Sequence, residues 1–261
     1  MGNKIYIILF LLGLLVGCNV KPTTSSVVSG AITTEFKSDT RIADTVKSTS
    51  KAISSTYPIL IGDYLSVEYI NVLQKTRSPL TAAEESDGRQ FINGKMLDNK
   101  PNFTIMGGFH EGLGGFGIDY KGDLNPGIHG MKFAGSRILS DKEFVLKFDD
   151  KDLTYRYVGN LNQFVASQTI VGKYKSDMGE LYTFTVEGTA TYPGKTFQYK
   201  VFSDYVMVGF DSFFEVTPKG GGKVYGFKLI KNKLQLFNMG GPMGDEPEDK
   251  PFVTLTRIKD E

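Results

Sequence analysis

The chain has 261 residues, a formal net charge of +1, 30 glycines, 13 tyrosines, 19 phenylalanines, no tryptophan and one cysteine. The absence of any long basic run argues against a nucleic acid partner. A single cysteine excludes an intramolecular disulfide and a cysteine metal cluster.

In chain order, Lys4 comes first and precedes an apolar stretch from Ile5 to Val16. This stretch is shorter than the roughly 20 residues of a bilayer-crossing helix. With its basic start it reads as a signal peptide over residues 1–17. Gly2 does not open a myristoylation signal, because Tyr6 stands where Ser or Thr is required. The stretch ends Leu15-Val16-Gly17-Cys18: aliphatic, tolerated, small, cysteine. These residues resemble the lipobox of bacterial lipoprotein precursors, a resemblance confined to the first 18 residues. It implies cleavage before Cys18, a diacylglyceryl thioether on its sulfur and acylation, of the palmitate kind, on the new amino group. The partner so implied is a membrane, reached through the lipid anchor on Cys18. More than one acyl chain makes such anchoring durable. The implied address is the bacterial cell envelope. Asn19 is not the aspartate that retains some lipoproteins at the inner membrane, so the outer membrane is the expected destination.

Residues 18–55 are rich in Ser and Thr and poor in large apolar residues. They read as a lipidated cysteine and a flexible tether, with a short helical piece around Ile42 to Ile53. Residues 56–261 read as a β-rich domain, long enough for a sizeable core. Ile59 to Ile61 suggests a strand. Leu65, Tyr69, Val72 and Leu73 then form an apolar stripe at helical spacing, placing a small helical element near residues 65–77. Pro79, following Ser78, ends it and opens a short second helix. Phe91-Ile92 followed by Asn93-Gly94 suggests a strand and a turn. Asn102–Met106, Phe109–Tyr120, Lys132–Leu139, Lys142–Phe148 and Leu153–Val158 are further strand candidates, with Asp149–Asp152 a solvated turn. Beyond Ile170, short strands alternate with turn residues. Phe197, Tyr199 and Val201 share one strand face, and Phe202 falls on the other, where the helix from Leu65 to Leu73 is a candidate cover. Val224–Ile230 turns at Lys231-Asn232-Lys233 and returns through Leu234–Phe237. Pro251–Ile258 makes a closing strand. Many aromatics among many glycines suit a twisted antiparallel sheet. The fold class expected is mainly β, an antiparallel meander forming a barrel or sandwich.

One internal echo stands out: Leu60-Ile61-Gly62-Asp63-Tyr64 and Ile170-Val171-Gly172-Lys173-Tyr174 share the pattern aliphatic, aliphatic, Gly, charged, Tyr. Either this is chance, or it marks the first strands of two related units, 56–165 and 166–261. Gly-x-Tyr followed by a meander is similar to the Gly-x-Trp start of lipocalin-type barrels, over Ile170 to Ile258. Tyr replaces the tryptophan. The resemblance implies a lipocalin-like barrel that encloses a small apolar ligand or contributes a binding surface, with Gly172 and Tyr174 in structural roles.

Four residues form the best polar set: His110, Glu111, Asp119 and His129. A metal or acid–base site would need them to converge. His110 and Glu111 are adjacent, so a strand points them to opposite faces, and Gly114 stands where a zinc helix motif needs its second histidine. A hydrogen-bonded or solvated hairpin is the simpler reading. Gly112, Gly114, Gly115 and Gly117 lack the setting of a nucleotide-binding loop. The acidic run Asp245-Glu246-Pro247-Glu248-Asp249 lacks calcium-loop spacing and reads as a solvated loop. No Gly-x-Ser-x-Gly elbow occurs. The sequence thus singles out no cofactor, no metal ligand set and no catalytic group. It favours a non-enzymatic envelope lipoprotein that binds a small apolar ligand, a glycan or an envelope protein. The alternatives are a structural or assembly protein using a sheet face or edge, and a hydrolase with a site near His110.

Overall fold

The computed structural model describes residues 59–107, 111–118, 124–130, 133–203, 209–218, 222–240 and 246–258; of 111, 114, 118 and 125–130 it describes the backbone alone. All lie within one compact unit, residues 51–261. Cys18 and the tether fall outside the described residues.

Eight strands come first: β1 (Asp63–Ser66), β2 (Phe91–Leu97), β3 (Lys100–Gly107), β4 (Glu111–Ile118), β5 (Leu124–Gly130), β6 (Gly135–Ser140), β7 (Glu143–Lys147) and β8 (Asp152–Gly159). They make one antiparallel sheet in the order β5-β4-β3-β2-β1-β8-β7-β6. Apart from β5 and β6, strands that follow one another pair, and the first pairs with the eighth. No ladder joins β5 to β6 among the described residues. The second set is β9 (Gly172–Ser176), β10 (Leu181–Phe184), β11 (Thr189–Tyr192), β12 (Lys195–Val201), β13 (Ser212–Val216), β14 (Val224–Ile230), β15 (Lys233–Gly240), β16 (Glu246–Pro247) and β17 (Val253–Arg257). Here β17 pairs with β9, and β14 pairs with β15. Eight strands thereby close an antiparallel up-and-down barrel, with β16 as a two-residue appendage of β15. The expectation of a mainly β protein with a barrel and a small helical element is borne out.

Three helices complete the described unit: α1 (Val67–Thr76), α2 (Pro79–Glu85) and α3 (Leu161–Gln168). Ser66 caps α1 by accepting from the Tyr69 N–H at 3.2 Å, as N-cap hydroxyls do. Arg77 ends α1 in the left-handed region at φ 58° and returns its N–H to the Leu73 carbonyl. Ser78 caps α2, with Pro79 at its first position, where its missing N–H costs nothing. Asn160 caps α3 by accepting from the Gln163 N–H at 3.1 Å.

Three local expectations change. Asn93-Gly94 is not a turn but lies inside β2, and the reversal falls at Asp98-Asn99, both with positive φ. Gly94 is there for space: a Cβ would meet the Phe103 ring at 2.5 Å and the Gly62 carbonyl at 2.8 Å. The first strand begins at Asp63 rather than Ile59, because Leu60 and Gly62 bond across to Asp141 and Gly94 instead of starting a ladder. Within the acidic run, Glu246 and Pro247 pair with Gly240 and Met239, so part of that loop is strand.

Two cores follow from the two sheets. One gathers Tyr64, Phe103, Phe116, Phe144 and Tyr155 inside the first sheet. The other joins Leu65, Tyr69 and Leu73, Val165 and Ala166 of α3, and the barrel interior. Eight strands leave an interior just wide enough for side chains, and rings fill this one. Phe184 lies 5.5 Å from Tyr199, 5.7 Å from Phe213 and 5.9 Å from Tyr192, all at steep angles, the edge-to-face geometry that aromatic quadrupoles favour. Phe202 on the outer face meets Phe214 at 6.2 Å, and the helix packed most closely on β12 is α3, not the helix of Leu65 to Leu73 expected there.

Candidate functional site

The echoed pentapeptides occupy equivalent places. Tyr64 donates its hydroxyl proton to the Leu60 carbonyl at 2.7 Å, and Tyr174 to Ile170 at 2.9 Å, each four residues back. Gly62 and Gly172 share φ values of 146° and 152°. In each case the last strand covers the glycine: Tyr157 of β8 over Gly62, Arg257 of β17 over Gly172. Arg257 donates to the Val171 carbonyl at 2.6 Å and to the Tyr174 hydroxyl at 2.9 Å, with its guanidinium 5.3 Å from the Tyr174 ring. Arg77 donates to the Thr169 carbonyl at 2.7 Å. Burial and the nearby Arg257 push the Arg77 guanidinium pKa down. Two cations thus meet the carbonyls just beyond the C-terminus of α3, where the helix dipole favours them. These groups bond to one another at one end of the barrel, with the buried Arg257 Nε alone left without a partner among the described residues.

Beside that end lies a groove of about 280 Å³. Its walls are the start of α3, the β10–β11 turn and the second half of β12, Gln198 to Val201. Asn162, Gln163, Gln198 and Lys200 bring polar groups, and Val186 and Val216 an apolar rim. Gly188 allows the turn to close on β12: its φ is 84°, its carbonyl accepts from the Tyr199 N–H at 2.6 Å, and a Cβ would meet the Tyr199 carbonyl at 2.8 Å. Burial pushes the Tyr199 phenol pKa up, and that hydroxyl is spent on the Thr185 carbonyl at 2.8 Å. Carboxamides both donate and accept, so the groove offers hydroxylated ligands complementary partners.

The barrel's other end carries a second polar cluster. Tyr225 donates to Glu215 at 2.7 Å, and Lys195 pairs with the same carboxylate. Burial opposes ionisation of Glu215, but these bonds outweigh it and hold its pKa below the usual value. Lys223 donates to Asn238 at 2.9 Å and lies 4.9 Å from the Tyr225 ring centre. Tyr192 keeps a buried hydroxyl without a hydrogen-bond partner among the described residues.

Of the polar set expected from sequence, His110 and Asp119 lie outside the described residues. Glu111 and His129 are placed by backbone, on β4 and β5. Glu111 pairs with Gly107, whereas Gly130 pairs with Gly114. Gly114 is three residues along β4 from Glu111, roughly 10 Å at the usual strand rise. The ladder therefore does not set Glu111 and His129 opposite one another. The glycines of 112–117 form strand β4, not a loop. Among the described residues, no group of three or more His, Cys, Asp or Glu is placed to hold a metal ion.

No family model matches this chain, and neither does any curated protein or solved structure. The groove went unseen in the sequence because α3 did. The signal was present: Asn160 as a cap, then Leu161, Phe164, Val165 and Gln168 at helical spacing.

Proposed function

We propose that this chain is an envelope lipoprotein, held at the outer membrane through a lipid on Cys18, whose barrel binds a small glycan in the α3 groove without chemical turnover. The observation that carries the binding reading is the groove's wall of carboxamides over an apolar rim. Its size, about 280 Å³, is near the lower end of ligand pockets and suits one or two sugar rings. The lipocalin-like start at Gly172 and Tyr174 supports a binding barrel. The interior is packed with rings, which favours a ligand on the wall over one enclosed within.

Two measurements test it. The mass of the N-terminal peptide reports the lipid on Cys18, and an unmodified cysteine there sinks the anchor. Native mass spectrometry of protein extracted in mild detergent, followed by titration with soluble cell-wall sugars, reports the ligand. Saturable binding should weaken about tenfold in Gln163→Ala or Lys200→Ala, the worth of one hydrogen bond to a ligand, and hold in Lys223→Ala at the other end. An apo mass unchanged by every sugar sinks the glycan reading. The second reading, an assembly protein using a sheet edge, is favoured by β5 and β6, which no ladder joins among the described residues.

A further inference from the structure

We infer that one end of the first sheet is a bilayer-docking surface, the end at which the chain arrives from Cys18. The inference rests on the lipid anchor proposed above. The arrival point is fixed by backbone bonds: the Leu60 N–H donates to Asp141 at 2.9 Å, and the Gly94 N–H to Gly62 at 2.9 Å. These bonds tie the incoming chain to the β6–β7 and β2–β3 hairpins. Register places both hairpin tips at this same end. Asp63 pairs with Asn93, so β2 runs on past the start of β1 to its turn. Asp63 also pairs with Gly159, so β8 finishes here and the β6–β7 turn lies alongside.

The tips carry side chains that turns do not call for. Hairpin turns favour Gly, Asn and Asp, and Asp98-Asn99 obeys that rule. Beside it, Met96 and Leu97 are 49% and 60% exposed, and Leu139 on the other tip is 47% exposed. Lys95, Lys100 and Lys142 flank these residues, against Asp98 and Asp141. Exposed apolar side chains ringed by lysines suit the boundary between headgroups and acyl chains, with the ammonium groups reaching back to phosphate. With the anchor on Cys18, the stretch read above as a tether, residues 18–55, brings this end to the membrane first, and anchoring makes the second contact intramolecular, so a shallow insertion suffices.

The absence of tryptophan provides the test. Single-tryptophan variants Leu97→Trp, Leu139→Trp and Met178→Trp are prepared as full, lipid-anchored protein. They are placed in phosphatidylethanolamine–phosphatidylglycerol vesicles with and without phospholipid brominated on its acyl chains. Met178 is an exposed apolar residue on the barrel's β9–β10 hairpin and serves as the comparison. Docking predicts a blue shift and loss of emission for Leu97→Trp and Leu139→Trp, with Met178→Trp unquenched. Equal emission from all three, or equal quenching of all three, overturns the surface while leaving the anchor standing. A lipid-free Cys18 in the same preparation overturns both. Should a variant fail to fold, relaxation of the native Leu97 and Leu139 methyl signals by a spin-labelled lipid gives the same discrimination.

Discussion

Tyr174 shows how much one hydroxyl can hold. It is fully buried, donates to Ile170, accepts from Arg257 and sits under that guanidinium. Tyr174→Phe leaves a buried carbonyl and an arginine N–H short of partners, so about 1–3 kcal/mol of stability is lost. Tyr64→Phe removes a single bond, to Leu60, and costs less. Urea unfolding of both variants ranks them, and equal losses would show that Arg257 contributes nothing through Tyr174. The Gly-x-Tyr pattern was legible in the sequence at both places. Its partners were not, because Tyr157 and Arg257 lie more than 80 residues further on and share no chemistry.

At the scale of elements, charge joins pieces that the chain separates. Arg89 donates to Asp87 at 2.6 Å and to Asp150 at 2.7 Å, and stands 4.4 Å from the Phe148 ring centre. This binds the segment between α2 and β2 to the β7–β8 turn. The Arg89 hydrogen bonds hold the Asp87 pKa well below the usual carboxylate range. A carboxyl depressed in the folded state adds stability that is present above its unfolded value, about 3.9, and lost as pH falls through the folded one. The native protein therefore loses stability steeply below about pH 4, and Asp87→Asn is less stable at neutral pH with a shallower decline in acid. Thermal midpoints across pH check this, and parallel curves would remove Asp87 from the account. Glycine gives a second case. Gly94→Ala forces a methyl against Phe103 and costs about 1–3 kcal/mol, whereas Gly88→Ala meets nothing within 4 Å and should be near neutral. Chemical denaturation of the pair tests whether Gly94 serves packing. Asn93-Gly94 misled the sequence reading because a turn pair and a close backbone approach call for the same residue.

For the whole molecule, alternation and turn residues made most strands legible, including the β14–β15 hairpin and the closing strand. Local pattern carried that information. The choice between a closed barrel and a sandwich did not show, since which strand meets β9 is decided by register across the whole barrel rather than by any window of sequence. The groove was hidden for the same reason: Gln163 and Lys200 become neighbours only after α3 folds back onto β12. Side-chain chemistry at each position was readable, but its assembly into one wall was not.

The β9–β17 seam has a mechanical corollary. The two strands are antiparallel neighbours, Arg257 lies opposite Tyr174, and the barrel's first and last residues therefore leave at the same pole. Tension applied between Gly172 and Arg257 would load the seam's hydrogen bonds in series, peeling them one at a time instead of shearing them together. The junction that completes the barrel at rest is thus its weakest line under load from the chain ends.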